Sequence, residues 1–160
     1  WTMALLKVST RVYAYEPHSA AFAELLKNCP VSEKVVLRNK ACWNDNGTML
    51  LNCFFHPSHS TLLNEHPMPS VVGPTKDGVV VETVRLDEDL PGYDIQRVDF
   101  IKIDTEGAEL AVMQGAATLF KMNPSYLIEC HTAETLRVVR GVLPDGRESK
   151  YGASWYWTNL

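Results

Sequence analysis

The run Ile101-Lys102-Ile103-Asp104-Thr105-Glu106-Gly107-Ala108-Glu109 carries the densest chemistry in the chain. Three of its carboxylates fall within the six residues 104–109, where a strand-like apolar run meets a helical pattern. A carboxylate at such a junction can accept a proton, hold a hydroxyl or a cation, or cap the helix. Glu106 and Glu109 read as neighbours on one face of a first helical turn, and capping alone would explain that pair. It explains neither Asp104 nor Lys102, which lies inside a strand that should be buried. Glu16-Pro17 ends another strand-like run, and a carboxylate there can accept both hydroxyl protons of a ribose, although acidic strand ends are common in any case. Asn39 and His131 follow further strand-like runs. Cys53, His56, His59 and His66 have a ligand-like order, Cys-x2-His-x2-His followed by a later histidine. Zinc would need a fourth ligand and a folded loop, so surface histidines are the ordinary explanation. No metal is expected.

The elements that must position these residues follow from two alternating periods. Arg11 to Tyr15 is a short β-branched and aromatic run stopped by Glu16-Pro17. Phe22, Leu25, Leu26 and Cys29 share one helical face, and Pro30 ends that helix. Lys34 to Arg38 predicts a second strand, which gives a unit of βαβ size. The unit repeats with a strand over Val98 to Asp104, then an amphipathic helix carrying Leu110, Met113, Ala117 and Phe120, then a strand over Ser125 to Cys130. Lys102 and Glu129 would lie on adjacent strands, where an ion pair would satisfy both if they are buried. Thr132 can N-cap a following helix through Leu136 and Val139. Between the halves, 47–55 and 78–86 read as strands flanking a loop rich in Pro, His and Ser. The aromatic end, Trp155-Tyr156-Trp157, reads as a core strand, an edge strand or an exposed partner surface. The pattern is α/β, with a mostly parallel sheet and an inserted β excursion. In open α/β sheets ligands bind beyond the carboxyl ends of the strands, where Glu16, Asn39 and Asp104 all fall.

Composition bounds the function. The chain has 160 residues, 46% hydrophobic and 21% charged, with nine glycines and nine prolines. That length predicts one domain with a real core. Fifteen Lys and Arg against 19 Asp and Glu leave a charge of −4, which argues against a domain that binds nucleic acid. No apolar run is long enough to span a bilayer. Cysteines 29, 42, 53 and 130 form no Cys-x-x-Cys pair and read as free, buried residues. Nothing fixes the compartment; cytoplasm is the default expectation.

Beyond these physical readings, the run from Ile101 to Glu109, continued by Met113-Gln114-Gly115-Ala116, resembles the FkbM-type family of S-adenosylmethionine-dependent methyltransferases. Val12-Tyr13-Ala14-Tyr15-Glu16-Pro17 resembles that family's second-strand motif, with Tyr15 where Phe is usual. Asn39-Lys40-Ala41 with Asp45 and Gly47, then Ser60-Thr61-Leu62, Thr83-Val84-Arg85-Leu86-Asp87 and Ile128-Glu129-Cys130-His131, stand in family order over about residues 2–131. The resemblance implies a Rossmann-like methyltransferase fold holding S-adenosylmethionine and a hydroxyl acceptor, a sugar or small secondary metabolite. It implies that Glu16 and the adjoining Pro17 bind the ribose and that Asn39 and Ala41 flank the adenine. Asp104 would stand beside the transferring methyl group. Asp104, Glu106 and His131 are the candidate general bases, Asp104 slightly ahead, and alignment alone could make a base dispensable. His56, His59 and Ser60 are the candidate substrate contacts.

One departure from the family is plain. Its glycine-rich turn follows the first strand, yet none of the nine glycines here precedes Glu16. Trp1-Thr2-Met3-Ala4-Leu5-Leu6-Lys7 reads as the middle of a helix. The expectation is a fragment that enters the fold at its first helix, lacking the first strand and glycine-rich loop, with the natural chain continuing upstream and activity impaired in the chain as given. Two other readings stay open: a non-catalytic binding module that keeps the fold, and a metal-dependent hydrolase built on Asp104, Glu106, Glu109 and His131.

Overall fold

The computed structural model describes residues 1–29, 32–53, 61–62, 77–93 and 95–160. A short helix α1 (Thr2–Leu5) leads into β1 (Val12–Tyr15). Helix α2 (Ser19–Asn28) then crosses to β2 (Val35–Arg38), which pairs with β1 in parallel, Val12 opposite Val35 and Tyr15 opposite Arg38. His18 caps α2, its Nδ1 accepting from the Ala21 amide, and Cys29 closes the helix as a buried residue.

The middle of the chain makes the β excursion. Strands β3 (Ala41–Cys42), β4 (Gly47–Cys53) and β5 (Asp77–Val84) form a sheet in the order β3-β5-β4. Strand β3 runs parallel to β5, while β4 runs antiparallel to it. Among the described residues, its core is Ala41, Leu51, Cys53, Leu62 and Val81. A helical turn α3 (Leu86–Asp89) and a 3-10 turn (Leu90–Tyr93) follow.

The second βα unit holds the main core. Strand β6 (Phe100–Ile103) leads to α4 (Glu109–Gly115) and α5 (Ala117–Phe120), then to β7 (Ser125–Cys130). Helix α6 (Ala133–Val142) and the strands β8 (Arg147–Tyr151) and β9 (Ser154–Thr158) complete the chain. The sheet order is β6-β7-β9-β8. Ile103, Val112, Met113, Ile128, Val139 and Trp157 pack together between this sheet and its helices.

Several expectations are refined. The single helix through Phe120 breaks at Ala116, which leaves the helical region at φ −118° and ψ 20°. There, Gly115 presses on the 43–44 backbone so closely that a Cβ would stand 1.9 Å from the Trp43 carbonyl oxygen. The sheets are mixed rather than mostly parallel: β1–β2, β3–β5 and β6–β7 are parallel, and β4–β5, β7–β9 and β8–β9 antiparallel. The aromatic end is internal, since β9 lies between β7 and β8, with Trp157 buried and its indole N–H donating to the Leu143 carbonyl. Thr132 caps α6 as expected, its hydroxyl accepting from the Thr135 amide at 3.0 Å. All four cysteines are free. Among the described residues, no helix is long and apolar enough to cross a membrane.

Candidate active site

The parallel strands β1 and β6 both end in acid. At the end of β6 the chain turns sharply, with Glu106 at φ 52° and Gly107 at φ 105°. Glycine takes such angles without steric cost, whereas a residue with a Cβ needs outside support. Thr61 supplies it: its buried hydroxyl donates to the Glu106 carbonyl at 2.8 Å. Glu109 supplies the rest. Its Oε1 accepts from the Thr105 amide, the Thr105 hydroxyl and the Gly107 amide, at 3.0–3.2 Å. Glu109 is therefore a fully buried brace of the turn. The expected pairing of Glu106 and Glu109 in one helical turn is corrected, because Glu106 stands in the left-handed turn before the helix begins.

The turn brings Asp104, Glu106 and His131 together. His131 Nε2 lies 3.4 Å from Asp104 Oδ1 and 3.4 Å from Glu106 Oε2, while its Nδ1 faces the Ser154 hydroxyl at 3.5 Å. Lys102, largely buried, places its ammonium 3.2 Å from Asp104 and 3.5 Å from Glu129, so the expected Lys102–Glu129 pair is present and shared with Asp104. The Tyr156 hydroxyl donates to Glu129 from β9. Of the three converging groups, Glu106 is 7% exposed and His131 6%, whereas the Asp104 side chain is 39% exposed. Asp104 is the one that lines the adjoining cavity of about 560 Å³ between β1 and β6.

Electrostatics divide the three. Burial pushes the Asp104 carboxyl upward, but the His131 hydrogen bond and the Lys102 ammonium outweigh it and hold the group at about 2. Glu106 is pushed up to about 7 by burial, with Asp104, Glu109 and Glu129 adding repulsion against the opposing pull of His131. Burial favours neutral His131, yet the Asp104 hydrogen bond and the carboxylates of Glu106 and Glu109 raise its pKa above the ordinary value. A carboxylate held ionised thus faces the cavity, backed by a buried acid and an imidazole that both hold their protons more tightly than usual. One oxygen or nitrogen from each of the three lies within 4.8 Å of the others, a donor set that could also enclose a divalent cation. Glu109, the fourth residue of the hydrolase reading, does not join them.

Across the cavity, the end of β1 is equally ordered. Glu16 Oε1 accepts from the His18 amide at 2.8 Å, and burial raises the Glu16 carboxyl. The Asn39 amide donates to the carbonyls of Glu16 and Pro17 at 2.7 and 3.0 Å. Asn39 thereby fixes the Glu16-Pro17 turn. Ala41 is buried in the core of the second sheet, in register with Thr83, and neither it nor Asn39 lines the cavity. His56, His59 and Ser60 lie outside the described residues, as does His66. Asp89 escaped the sequence reading. It accepts from the Tyr15 hydroxyl at 2.6 Å and lies 3.8 Å from the Arg38 guanidinium, tying α3 to β1 and β2.

A mixed-sheet α/β fold with acids at the carboxyl ends of parallel strands on either side of a cleft defines a Rossmann-like, methyltransferase-type domain. Comparison with known proteins agrees. The family model for the methyltransferase FkbM domain matches residues 2–145, and the chain belongs to that family. The crystal structure of methyltransferase FkbM from Methylobacillus flagellatus KT is similar in fold, with a TM-score of 0.59 at 14% identity. The match covers 92% of this chain and 36% of that one, so the chain spans about a third of the length of the solved structure it matches. No curated protein matches the chain.

Proposed function

We propose that the chain forms a single domain that transfers a methyl group from S-adenosylmethionine to a hydroxyl oxygen of a small acceptor, a sugar or secondary metabolite. The observation that supports this reading is Asp104 on the wall of a cavity that β1 also lines, with Glu16 following directly on β1. This donor set fits the cofactor chemically. Glu16 offers a carboxylate to a pair of hydroxyls, on a turn held by Asn39. Asp104 offers a fixed negative charge to a sulfonium. When bound, S-adenosylmethionine supplies an electrophilic methyl group on a positively charged sulfur.

The residues of this chain then have distinct tasks. Asp104 touches the reactants and orients the acceptor hydroxyl; held at about 2, it acts chiefly as an anion. His131 and Lys102 keep it ionised and in place, and Glu106 with His131 can store a proton at His131 Nε2 or on the Glu106 carboxyl. His131 and Glu106 are positioning residues, since neither reaches the cavity wall. Much of the rate would come from alignment, which lowers the demand for a strong base. Family membership favours methyl transfer over the metal-dependent hydrolase.

Titration calorimetry with S-adenosylhomocysteine tests the reading. Saturable binding that weakens in Glu16→Ala supports it. Absence of binding would leave a non-catalytic module.

A further inference from the structure

A site that takes a positively charged sulfur has a liability in its wall. Lys102 lines the cavity beside Asp104, and its ammonium stands 3.2 Å from Asp104 Oδ2. Alone, that lysine would cancel the charge of Asp104, because an ammonium and a carboxylate in contact present a dipole rather than an anion to a ligand. A counter-charge is in place. Glu129 Oε2 lies 3.5 Å from the same ammonium, and Glu129 does not line the cavity. Among the described residues, the other partners of the ammonium are uncharged, the Ile103 carbonyl at 3.2 Å and the Trp1 ring at 5.8 Å. One lysine is thus shared between two carboxylates, and the three groups together keep one negative charge.

Strand register builds this arrangement. Lys102 stands opposite Leu127 on β7, and Glu129 comes two residues later on the same face. Glu129 in turn stands opposite Tyr156 on β9, whose hydroxyl donates to Glu129 Oε1 at 3.0 Å and leaves Oε2 to Lys102. The Glu129 side chain is 16% exposed against 39% for Asp104, so the second carboxylate is the more costly to keep ionised. A single carboxylate satisfies a buried lysine, and stability alone does not call for Glu129. Charge on the cavity wall does. On the other oxygen of Asp104 the pattern repeats: His131 Nε2 reaches Oδ1 at 3.4 Å, and Glu106 stands 3.4 Å from the same nitrogen.

We propose that Glu129, held by Tyr156, is a positioning residue that offsets the charge of Lys102, so that Asp104 keeps its negative charge for a cationic sulfur and the site favours a sulfonium donor over its neutral thioether product. The inference rests on the methyl-transfer reading and deepens it. In that reaction the acceptor oxygen takes the methyl group and loses its proton, while the bonding pair returns to sulfur, which becomes neutral. The attraction to Asp104 is then gone from the product. Glu129 touches neither ligand and acts through Lys102.

Calorimetry at one pH measures S-adenosylmethionine and S-adenosylhomocysteine affinities in wild type, Glu129→Gln, Glu129→Asp and the double variant Lys102→Gln/Glu129→Gln. Glu129→Gln leaves Asp104 and Lys102 as a neutral pair and should weaken the sulfonium relative to the thioether by about tenfold, the effect of one charge at ~10 Å and an effective dielectric of ~20. Glu129→Asp keeps the charge and should keep the wild-type ratio. The double variant removes both charges, leaves Asp104 its own, and should restore that ratio, which a packing role would not do. His131 and Glu106 are unchanged in every variant. An unmoved ratio in Glu129→Gln, an equal displacement in Glu129→Asp, or a displaced ratio in the double variant overturns the proposal and leaves the methyl-transfer reading standing. If Glu129→Gln does not fold, the double variant, with no unpaired charge, still decides. Trimethylsulfonium alone, followed by the Thr105 amide shift, separates the two ideas. If neither adenosyl ligand binds but trimethylsulfonium weakens in Glu129→Gln and recovers in the double variant, the counter-charge stands and the methyl-transfer reading falls. If trimethylsulfonium shows no such order either, both fall.

Discussion

Replacing Glu106 by Gln tests the electrostatic account of the site. Glu106 is buried beside Asp104, Glu109 and Glu129, and its pKa rises from an ordinary 4.5 to about 7. The folded state therefore holds this proton more tightly than the unfolded state. Its contribution to stability is fully present below about pH 4.5 and is lost as pH rises through about 7. The shift corresponds to up to about 3 kcal/mol, at ~1.4 kcal/mol per unit. The pull of His131 is already contained in the value of about 7, and relaxation around the ionised group lowers the cost further, so roughly 1–3 kcal/mol is expected. His131 has the same sign: its raised pKa contributes stability below the ordinary histidine range that is lost above the folded value. Wild-type stability should thus fall from pH 5 to pH 8. Glu106→Gln keeps the shape and removes the buried charge, so it should match wild type at pH 5 and exceed it by roughly 1–3 kcal/mol at pH 8. Urea unfolding followed by tryptophan fluorescence, with the buried Trp157 as reporter, measures both. A flat wild-type profile, or a Gln variant equally destabilised at both pH values, would refute the reasoning.

On the proposed methyl-transfer reading, Asp104→Asn should lower turnover more than S-adenosylhomocysteine affinity, measured by kinetics and calorimetry on one preparation, because the charge lost is the one proposed to act on the reacting atoms. Glu16→Ala should weaken that affinity by about tenfold or more, charge-assisted hydrogen bonds being worth ~1.5–3 kcal/mol. Gly115→Ala should cost ~1–3 kcal/mol or more in thermal or urea unfolding, since its Cβ would meet the Trp43 carbonyl at 1.9 Å. Thr132→Ala should cost ~1 kcal/mol through loss of the α6 cap.

Much of the architecture was legible because short-range patterns dictate it. The alternation of Val12 to Tyr15 and the spacing of Phe22, Leu25 and Leu26 read correctly as strand and helix. Thr132 read correctly as a cap, because a side-chain oxygen reaches amides only two or three residues on. The helix through Phe120 read as continuous, since its periodicity cannot register that the backbone of Trp43 presses on Gly115. Strand β8, with five exposed residues of no clear period, left no trace in the pattern. Asp89 was overlooked because its partner Tyr15 is 74 residues away.

The sequence alone determined which residue types meet the turn after β6 and which elements carry them, because strand ends and helix starts are local events. Only the tertiary structure decided their roles. Asp104, Glu106 and Glu109 are the same kind of acid within six residues. Folding makes the first a fixed anion on the cavity, the second a buried proton holder and the third a brace, since ionisation depends on neighbours the chain brings from far away. His131 on one side and Thr61 on the other arrive by packing, and so does the opening between β1 and β6. The acids could be noticed in the sequence, but the cavity between β1 and β6 exists only when two distant segments of the chain fold beside each other.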